Sequence, residues 1–154
     1  MKITNTAGYA LHAMLYVAFI NGRRPVTIGE ISEAEGLPRE YLAKILGDLG
    51  RADLLDPRRG RAGGYFLARP RSKITFLNII EAMDGPFNPT MCTKPEDNRF
   101  GHRKGRCPAS AFFTKMKRWI VKDLGSMNLG DIPYEKFYSF STAKAGANRK
   151  KGVR

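Results

Sequence analysis

The first run of hydrophobic positions predicts one long helix near the start of the chain, from about Thr4 to Asn21. His12 falls outside its apolar stripe, on a face shared with Gly8, Tyr16 and Phe19. A lone histidine on such a face is usually a structural or interface residue. The predicted core positions of this helix recur at helical spacing: Ala7, Leu11, Met14, Leu15 and Ala18.

Two shorter helical patterns follow, joined by a tight turn. Thr27 and Glu30 have the spacing of a capping box, and Gly36 supplies a stop. The first helix is expected to turn Ile28, Ile31 and Ala34 inward, and the second to bury Leu42, Ile45, Leu46 and Leu49. Two helices connected in this way are typical of a helix-turn-helix, whose second helix enters the major groove of DNA.

The start of the second helix carries polar side chains suited to contacts with DNA. Lys44 has the reach for guanine or a phosphate, and Glu40 can accept a hydrogen bond from cytosine. The alternative for each residue is an ordinary solvated polar face. The candidates in and before this helix are Thr27, Pro38, Arg39, Glu40, Tyr41 and Lys44.

A small basic hairpin is predicted after the second helix. Its strands are Leu54–Pro57 and Tyr65–Ala68, and the glycines of the tip at Arg58–Gly64 permit a tight turn. Arginines on such a tip can follow a phosphate backbone or enter a narrow minor groove. A helix-turn-helix followed by a hairpin is a winged helix; the alternative is a basic loop beside an ordinary helical hairpin. The hairpin candidates are Arg58, Arg59, Arg61, Gly63 and Tyr65.

Two further helical patterns complete the chain. Ser72–Met83 is expected to be buried through Leu77, Ile80 and Met83. Pro108–Met127 has a wide aromatic and aliphatic face that exceeds the needs of a small core, so a partner helix from a second copy is expected there. Packing against the chain's own first helix is the alternative. Residues 128–140 are expected to form a short helix that caps the dimer.

The segment from Gly85 to Arg106 is rich in proline, glycine and charge, and a loop of this length is usually functional or disordered. Cys92 lies near one end, Cys107 at the other, and His102 between them. Thiolates and imidazole are ligands of iron–sulfur centres, although this spacing alone is not a ligand motif. Cys107 is followed by Pro108, which is expected to open a helix whose dipole favours a thiolate.

Composition narrows the classes of function. The chain has 154 residues and a net charge of +13, which favours a polyanionic partner, and only two cysteines, which exclude a disulfide scaffold. The apolar run at the start is too short to span a membrane, so we expect a cytoplasmic protein. No phosphate-binding loop, nucleophile elbow or metalloprotease motif appears, so we expect no enzyme. The sequence also lacks the aromatic strand typical of many RNA-binding domains.

Short motifs spread along the chain are typical of one known family: Ala10-Leu11, Glu40-Tyr-Leu42, Arg59-Gly60, Gly63-Gly-Tyr65, Leu67-Ala-Arg69, Ile74-Thr75, Ile80-Glu-Ala82 and Asp84-Gly-Pro86. In these positions the chain resembles the IscR/NsrR/CymR family of bacterial winged-helix regulators over roughly residues 1 to 132. The hairpin motif is the most specific part of the resemblance. The resemblance implies a homodimer with an amino-terminal winged helix, a long carboxy-terminal dimerisation helix and, in many members, an iron–sulfur cluster in the connecting loop.

The resemblance also implies ligands for such a cluster. The family usually places three cysteines in the loop, whereas this chain has two. At least one redox-sensing member uses two cysteines, a histidine of the first helix and a carboxylate one turn earlier. His12 matches that histidine, but Gly8 stands in place of the carboxylate. The fourth ligand is therefore open, with His102, Glu96, Asp97 or a partner group as candidates.

We therefore expect a mostly α-helical, homodimeric transcription regulator that binds a pseudo-palindromic operator in double-stranded DNA. The predicted division is a winged-helix domain (1–84), a sensor loop (85–107), a dimerisation helix and cap (108–140) and a disordered basic tail (141–154). The predicted metal ligands are Cys92, Cys107, His12 and His102, with a [2Fe–2S] cluster as the expected cofactor. The alternatives are a Cys92/Cys107 thiol switch, a regulator that senses a small molecule, and an RNA-binding protein.

Overall fold

A computed structural model of the protein describes residues 3–20, 23–61, 63–90 and 107–139. In this part of the chain no helix is both long enough and apolar enough to cross a membrane. Most of the described residues are helical, with one antiparallel two-stranded sheet, as predicted. The elements are α1 (Asn5–Ile20), α2 (Ile28–Glu35), α3 (Arg39–Arg51), β1 (Leu55–Arg58), β2 (Gly64–Leu67), α4 (Phe76–Asp84) and α5 (Ser110–Ser126), with 3-10 turns at Arg71–Lys73 and Tyr134–Lys136.

Helix α1 lies at the centre of the winged domain and is buried on most sides. The single stripe predicted from its sequence was wrong, because Leu11 and Leu15 are only half-buried while residues outside the stripe are covered. Helices α2, α3 and α4 all pack against α1, and the alanines allow close approach. The buried side chains of α1 are Ala7, Ala10, Ala13, Met14, Tyr16, Val17, Ala18, Phe19 and Ile20.

The helix-turn-helix forms as its caps and hydrophobic spacing predict. Thr27 Oγ1 accepts a hydrogen bond from the Glu30 amide at 3.3 Å, and the Glu30 carboxylate accepts one from the Thr27 amide at 2.8 Å. Gly36 ends α2 with φ +64°. Fewer residues of α2 are buried than predicted. Ile31 is buried, whereas Ile28 is half-buried and Ala34 is exposed. All four predicted positions of α3 are buried: Leu42, Ile45, Leu46 and Leu49.

The hairpin pairs β1 with β2, with Leu55 opposite Leu67 and Arg58 opposite Gly64. The ladder therefore reaches one residue closer to the tip than the predicted strands, because Arg58 and Gly64 belong to it. At the other end the Ala68 amide still donates to the Leu54 carbonyl at 3.1 Å. A further backbone bridge joins Val26 to Tyr65, with N···O distances of 3.0 and 2.9 Å. This bridge ties the hairpin to the segment that precedes α2, so the wing and the helix-turn-helix form one unit.

Helix α4 begins later than its hydrophobic pattern predicts. Residues Arg71–Lys73 form a 3-10 turn, and Thr75 caps α4 by accepting a hydrogen bond from the Asn78 amide at 3.1 Å. Ile79 and Ile80 are the buried residues of the helix, whereas the predicted anchors Leu77 and Met83 are half-buried. The error arises because Thr75 is a strong cap whose partner at the third helical position is asparagine instead of glutamate.

After α5 the chain returns to the core of its own winged domain. The Phe76 amide donates to the Met127 carbonyl at 3.0 Å, and the Leu129 amide donates to the Ile74 carbonyl at 2.9 Å. The segment from residue 128 to 139 contains a 3-10 turn in place of the predicted helix, and its aromatic rings pack on Tyr16 and Phe19 of α1. A contribution of this segment to a dimer stays a prediction. The aromatic cluster that fastens it comprises Tyr16, Phe19, Tyr134 and Tyr138.

Candidate functional site

The amino-terminal end of α3 is exposed and has no side-chain cap. Pro38 occupies the N-cap, and its side chain has no acceptor for the first amides of the helix, although its carbonyl accepts from the Leu42 amide at 3.2 Å. Arg39, Glu40 and Lys44 project into solvent from the face opposite the buried row. The free amides and the helix dipole, with Arg39 in the first turn and Lys44 in the second, make this end suited to a phosphate. Glu40 adds an acceptor suited to base recognition.

Tyr41 is 63% exposed, which is unusual for a large aromatic side chain. Its ring meets the ring of Tyr9 edge to face, with centroids 6.5 Å apart. The contact with α1 limits where the ring can point and leaves most of its surface open. Tyr41 therefore presents an oriented aromatic face beside the polar side chains of α3.

The three arginines of the hairpin differ in their surroundings. Arg58 donates from Nε to the Asp56 carboxylate at 3.1 Å, and its guanidinium lies 4.8 Å from the ring centroid of Phe66. Arg59 and Arg61 are exposed, and neither has an ion pair with a described residue. The tip thus carries two guanidinium groups that are available to an external anion, and one that is held by its own strand pair.

Two glycines shape the hairpin by allowing backbone atoms to approach. A Cβ atom on Gly63 would lie 2.5 Å from the Arg58 carbonyl oxygen, and one on Gly64 would lie 2.8 Å from the Val26 carbonyl oxygen. The Gly63 amide also donates to the Gly60 carbonyl at 2.9 Å. Gly63, predicted as a DNA contact, therefore has a structural role in the turn.

An open groove of about 650 Å³ lies between α2, the start of α3 and the hairpin. It brings the two groups of predicted contacts together on one surface. Thr27 belongs to it, although the Thr27 hydroxyl is engaged with Glu30, which in turn accepts from Arg24 at 2.5 Å. The residues lining the groove are Thr27, Ile28, Gly29, Arg39, Gly63, Gly64 and Tyr65.

Cys107 is half-buried in the turn that leads into α5. Its carbonyl oxygen accepts from the Ser110 amide at 3.0 Å and from the Ser110 hydroxyl at 2.8 Å. Helix α5 begins at Ser110 with Ala109 as its N-cap, so the expectation that Pro108 is its first residue was wrong. The other predicted loop ligands, Cys92 and His102, lie outside the described residues.

His12 is exposed on α1, where its side chain has a relative exposure of 57%. Its Nδ1 lies 2.9 Å from Oε2 of Glu35, and the other Glu35 oxygen accepts from the Tyr138 hydroxyl at 2.6 Å. Burial, followed by the nearby Glu35 carboxylate, raises the pKa of Tyr138 well above its usual value, so the phenol keeps its proton. Within the described ranges, no three His, Cys, Asp or Glu side chains converge on a metal position.

Two of these residues escaped the sequence analysis. Glu35 pairs with His12 across 23 positions, and no local pattern signals a contact between two helices at that separation. Gly29 lies under the Arg39 guanidinium, where a Cβ atom would collide with it. Because the Arg39 side chain is flexible and exposed, it can move away from a larger residue at position 29.

The sequence matches the model of the Rrf2 family, described as an iron-dependent transcriptional regulator, over residues 3–135. The chain belongs to the Rrf2 family. The match spans the winged domain and α5 and ends within the 3-10 turn at Tyr134–Lys136. The resemblance inferred from the hairpin motif and the predicted fold class are both confirmed.

Among curated relatives, this Rrf2-family chain is 36% identical to the transcriptional regulator IscR of Sodalis glossinidius and 32% identical to that of Xenorhabdus nematophila. Both alignments span 132 residues, or 86% of this chain, and cover 78% and 79% of those relatives. These relatives are transcription regulators, which confirms that the chain is not an enzyme.

Solved structures agree on the fold. CymR of B. subtilis, described as the global cysteine regulator, superposes with a TM-score of 0.72 at 24% identity, over 90% of this chain and 99% of that one. IscR of T. potens superposes with a TM-score of 0.68 at 23% identity, over 100% and 93%. At these identities the two likenesses show the fold alone.

Proposed function

We propose that this Rrf2-family regulator acts as a homodimer in the cytoplasm and binds a pseudo-palindromic operator. The observation that carries the proposal is the surface on which the uncapped start of α3 and the hairpin border one groove. In this proposal each α3 enters a major groove and each hairpin reaches a flanking minor groove. The two half-sites then lie about one helical turn apart, or a multiple of it.

The contacts of α3 divide into two kinds. Arg39 and Lys44 neutralise phosphates or, in the case of Lys44, bind guanine, while Glu40 and Tyr41 face the bases. Their exposure and their location beside the groove support these roles. Thr27 acts through the capping box, since its hydroxyl is already paired with Glu30, and its exposed position leaves it close to the DNA backbone.

The hairpin contacts follow from the environment of each arginine. Arg59 and Arg61 contact the phosphate backbone, because neither is paired with a described residue. Arg58 stiffens β1 through Asp56 and Phe66 and makes a weaker contact. Gly63 and Tyr65 shape the hairpin and its attachment to Val26, so they set where the tip lies.

The dimer forms through α5 in this proposal. The helix has no buried residue, and Phe112 and Trp119 are 66% and 61% exposed. With Met116 between them they form one stripe at helical spacing, and Lys115 lies 4.9 Å from the centroid of the Trp119 ring. A second copy of the same helix is a partner of matching character, because a twofold axis places identical stripes face to face.

In this proposal the sensor is an iron–sulfur cluster held by the loop of residues 85–107. The description of the family as iron-dependent supports it, as does the donor chemistry of two thiolates and an imidazole. Cys92 and Cys107 hold the cluster with His12 or His102, and two cysteines with nitrogen ligation favour a [2Fe–2S] centre. Its oxidation, nitrosylation or loss shifts the dimer between states with different DNA affinity.

Binding to a promoter fragment tests the operator part of the proposal. The purified protein is titrated against a palindromic fragment and against random duplex DNA of equal length at about 150 mM salt. We expect the palindrome to bind at least a thousandfold more tightly. Equal affinity for the two duplexes overturns the claim of a specific operator, and preference for structured RNA indicates the RNA-binding alternative.

An anaerobic visible spectrum with iron and sulfide assays tests the sensor part. We expect charge-transfer bands and about two irons and two sulfides per chain. Cys92→Ala is expected to abolish the colour while the dimer stays folded, and a coloured variant removes Cys92 from the ligand set. A colourless wild type that resists anaerobic reconstitution overturns the cluster and leaves a Cys92/Cys107 thiol switch or a small-molecule sensor.

A further inference from the structure

The Glu35 carboxylate connects three separate elements of the fold. Glu35 is the last residue of α2; its Oε2 lies 2.9 Å from His12 Nδ1 on α1, and its Oε1 accepts from the Tyr138 hydroxyl at 2.6 Å. The Glu35 side chain is only 8% exposed, whereas that of His12 is 57% exposed. A nearly buried carboxylate thus holds one nitrogen of an exposed imidazole.

The hydrogen-bond chemistry of this triad determines which imidazole nitrogen carries the proton. An ionised carboxylate only accepts hydrogen bonds, and Tyr138 already donates to one of its oxygens. A neutral His12 must therefore carry its proton on Nδ1 to bond to the other oxygen. Its Nε2 then has a lone pair, and no described residue forms a hydrogen bond with that nitrogen.

We propose that Glu35 is a positioning residue that holds His12 in the Nδ1–H tautomer and so prepares Nε2 to bind the cluster. This inference rests on the proposed function, and it assigns the nitrogen ligand to His12 in preference to His102. Metal-bound histidines almost always donate their other N–H to a carboxylate, a carbonyl or water. Such a partner fixes the orientation of the ring and increases its basicity as a ligand.

The arrangement also links the ligand to the helix-turn-helix. Glu35 ends α2, and the next residue, Gly36, begins the turn into α3. Tyr138 belongs to the segment that follows α5 and packs on Phe19 with ring centroids 4.9 Å apart. A displacement of the His12 ring upon ligation is thus transmitted through one carboxylate to the DNA-binding helices and to the segment after α5.

The tautomer of His12 is measured first, in cluster-free protein labelled with ¹⁵N, by long-range proton–nitrogen NMR about two pH units above the usual histidine pKa of about 6.5. We expect the wild type to show the Nδ1–H tautomer. Glu35→Gln places an amide there that can donate to Nδ1, so the Nε2–H tautomer is expected to increase. Glu33→Gln is the matched control, because it neutralises an exposed carboxylate of the same helix.

The tautomer measurement tests the proposal even if the Glu35→Gln protein does not fold. A wild-type protein with His12 in the Nε2–H form overturns the proposal by itself. Tyr138→Phe keeps the carboxylate and removes only the hydroxyl, so we expect the Nδ1–H tautomer to persist in it. If the tautomer is the same in wild type and in a folded Glu35→Gln protein, Glu35 does not set it and the proposal fails.

The reduction potential of the reconstituted cluster is the second measurement. Loss of the carboxylate makes the imidazole a weaker donor, so we expect a higher potential in Glu35→Gln and an unchanged one in Glu33→Gln. Equal potentials in wild type and Glu35→Gln contradict the proposal while leaving the cluster intact. A wild-type protein that takes up no cluster contradicts the proposed function instead. In that case the tautomer of His12, measured in cluster-free protein, still tests whether Glu35 positions the imidazole.

Discussion

The arginines at the tip of the hairpin illustrate how neighbouring side chains of one type acquire different roles. Arg58 and Arg59 are adjacent in sequence, but only Arg58 has a carboxylate and an aromatic ring beside it. An arginine that must leave an existing partner gains less from a phosphate than one that is solvated. The expected contributions of Arg58 and Arg59 to DNA binding therefore differ.

Arg59→Ala is predicted to weaken binding to specific and to random DNA alike. The loss of one phosphate contact should reduce the slope of log affinity against log salt by about 0.9. Arg58→Ala serves as the matched control and is expected to reduce the slope by less. Titrations at several salt concentrations measure both; a loss confined to one base position would instead make Arg59 a direct reader of the sequence.

Individual residues were predictable where the signal is local. The Thr27–Glu30 capping box and the buried row of α3 follow from spacings of three and four residues, and both are present in the structure. The partner of His12 was not predictable, because Glu35 reaches it only through the packing of α2 against α1. Contacts that depend on the relative placement of helices leave no trace in a local pattern.

At the scale of elements, buried tyrosines hold the segment after α5 in place. The Tyr134 hydroxyl donates to the Leu129 carbonyl at 2.8 Å, and the side chain is 5% exposed. Burial raises the pKa of Tyr134 to about 12, against an ordinary tyrosine pKa of about 10. The folded state therefore favours the protonated phenol, and this contribution to stability depends on the pH.

The free energy of unfolding is predicted to decline as the pH rises from about 10 toward 12. The contribution of Tyr134 is fully present below the pKa of the unfolded chain, near 10, and is lost as the pH rises through the folded value. Urea denaturation at a series of pH values measures this decline, which should be smaller in Tyr134→Phe. Tyr41→Phe, at an exposed ring, is the control; an equal decline in all three proteins would contradict the assignment.

The elements were predicted in kind and order, but less well at their boundaries. The strands of the hairpin reach one residue closer to the tip than predicted, since Gly64 pairs with Arg58 and lies close to the Val26 carbonyl. Helix α1 was assigned one apolar stripe because its alanines carry little periodic signal, although three helices surround it. Both errors arise from tertiary packing that acts on small residues.

The exposed stripe of α5 matters at the scale of the whole molecule. Phe112 and Trp119 remain largely exposed in the single chain, although the carboxy-terminal end of α5 packs on α4, where Gly125 lies next to Leu77. The sequence predicted a surplus of aromatic surface on this helix. The sequence could not predict which residues α4 would cover, because a helix of the same chain and a helix of a second copy would both pack on the apolar face of α5.

Trp119→Ala is predicted to weaken the dimer by about 2 kcal/mol or more, which is about thirtyfold in the dissociation constant. Tryptophan is enriched among the residues that dominate interface energies, and truncation here removes the largest side chain of the stripe. Arg118→Ala is the control, since Arg118 is exposed on another side of α5. Analytical ultracentrifugation measures the dissociation constant, and an unchanged value for Trp119→Ala would show that α5 is not the interface.

The affinity of one preparation for its operator, before and after removal of the cluster, tests the central claim most directly. Both titrations use the same salt concentration and the same palindromic fragment. If the cluster controls the orientation of the two winged domains, the two affinities should differ by at least fivefold, the lower end of typical allosteric coupling. Equal affinities of the loaded and cluster-free dimers would contradict the account, because the sensor loop would then have no influence on DNA binding.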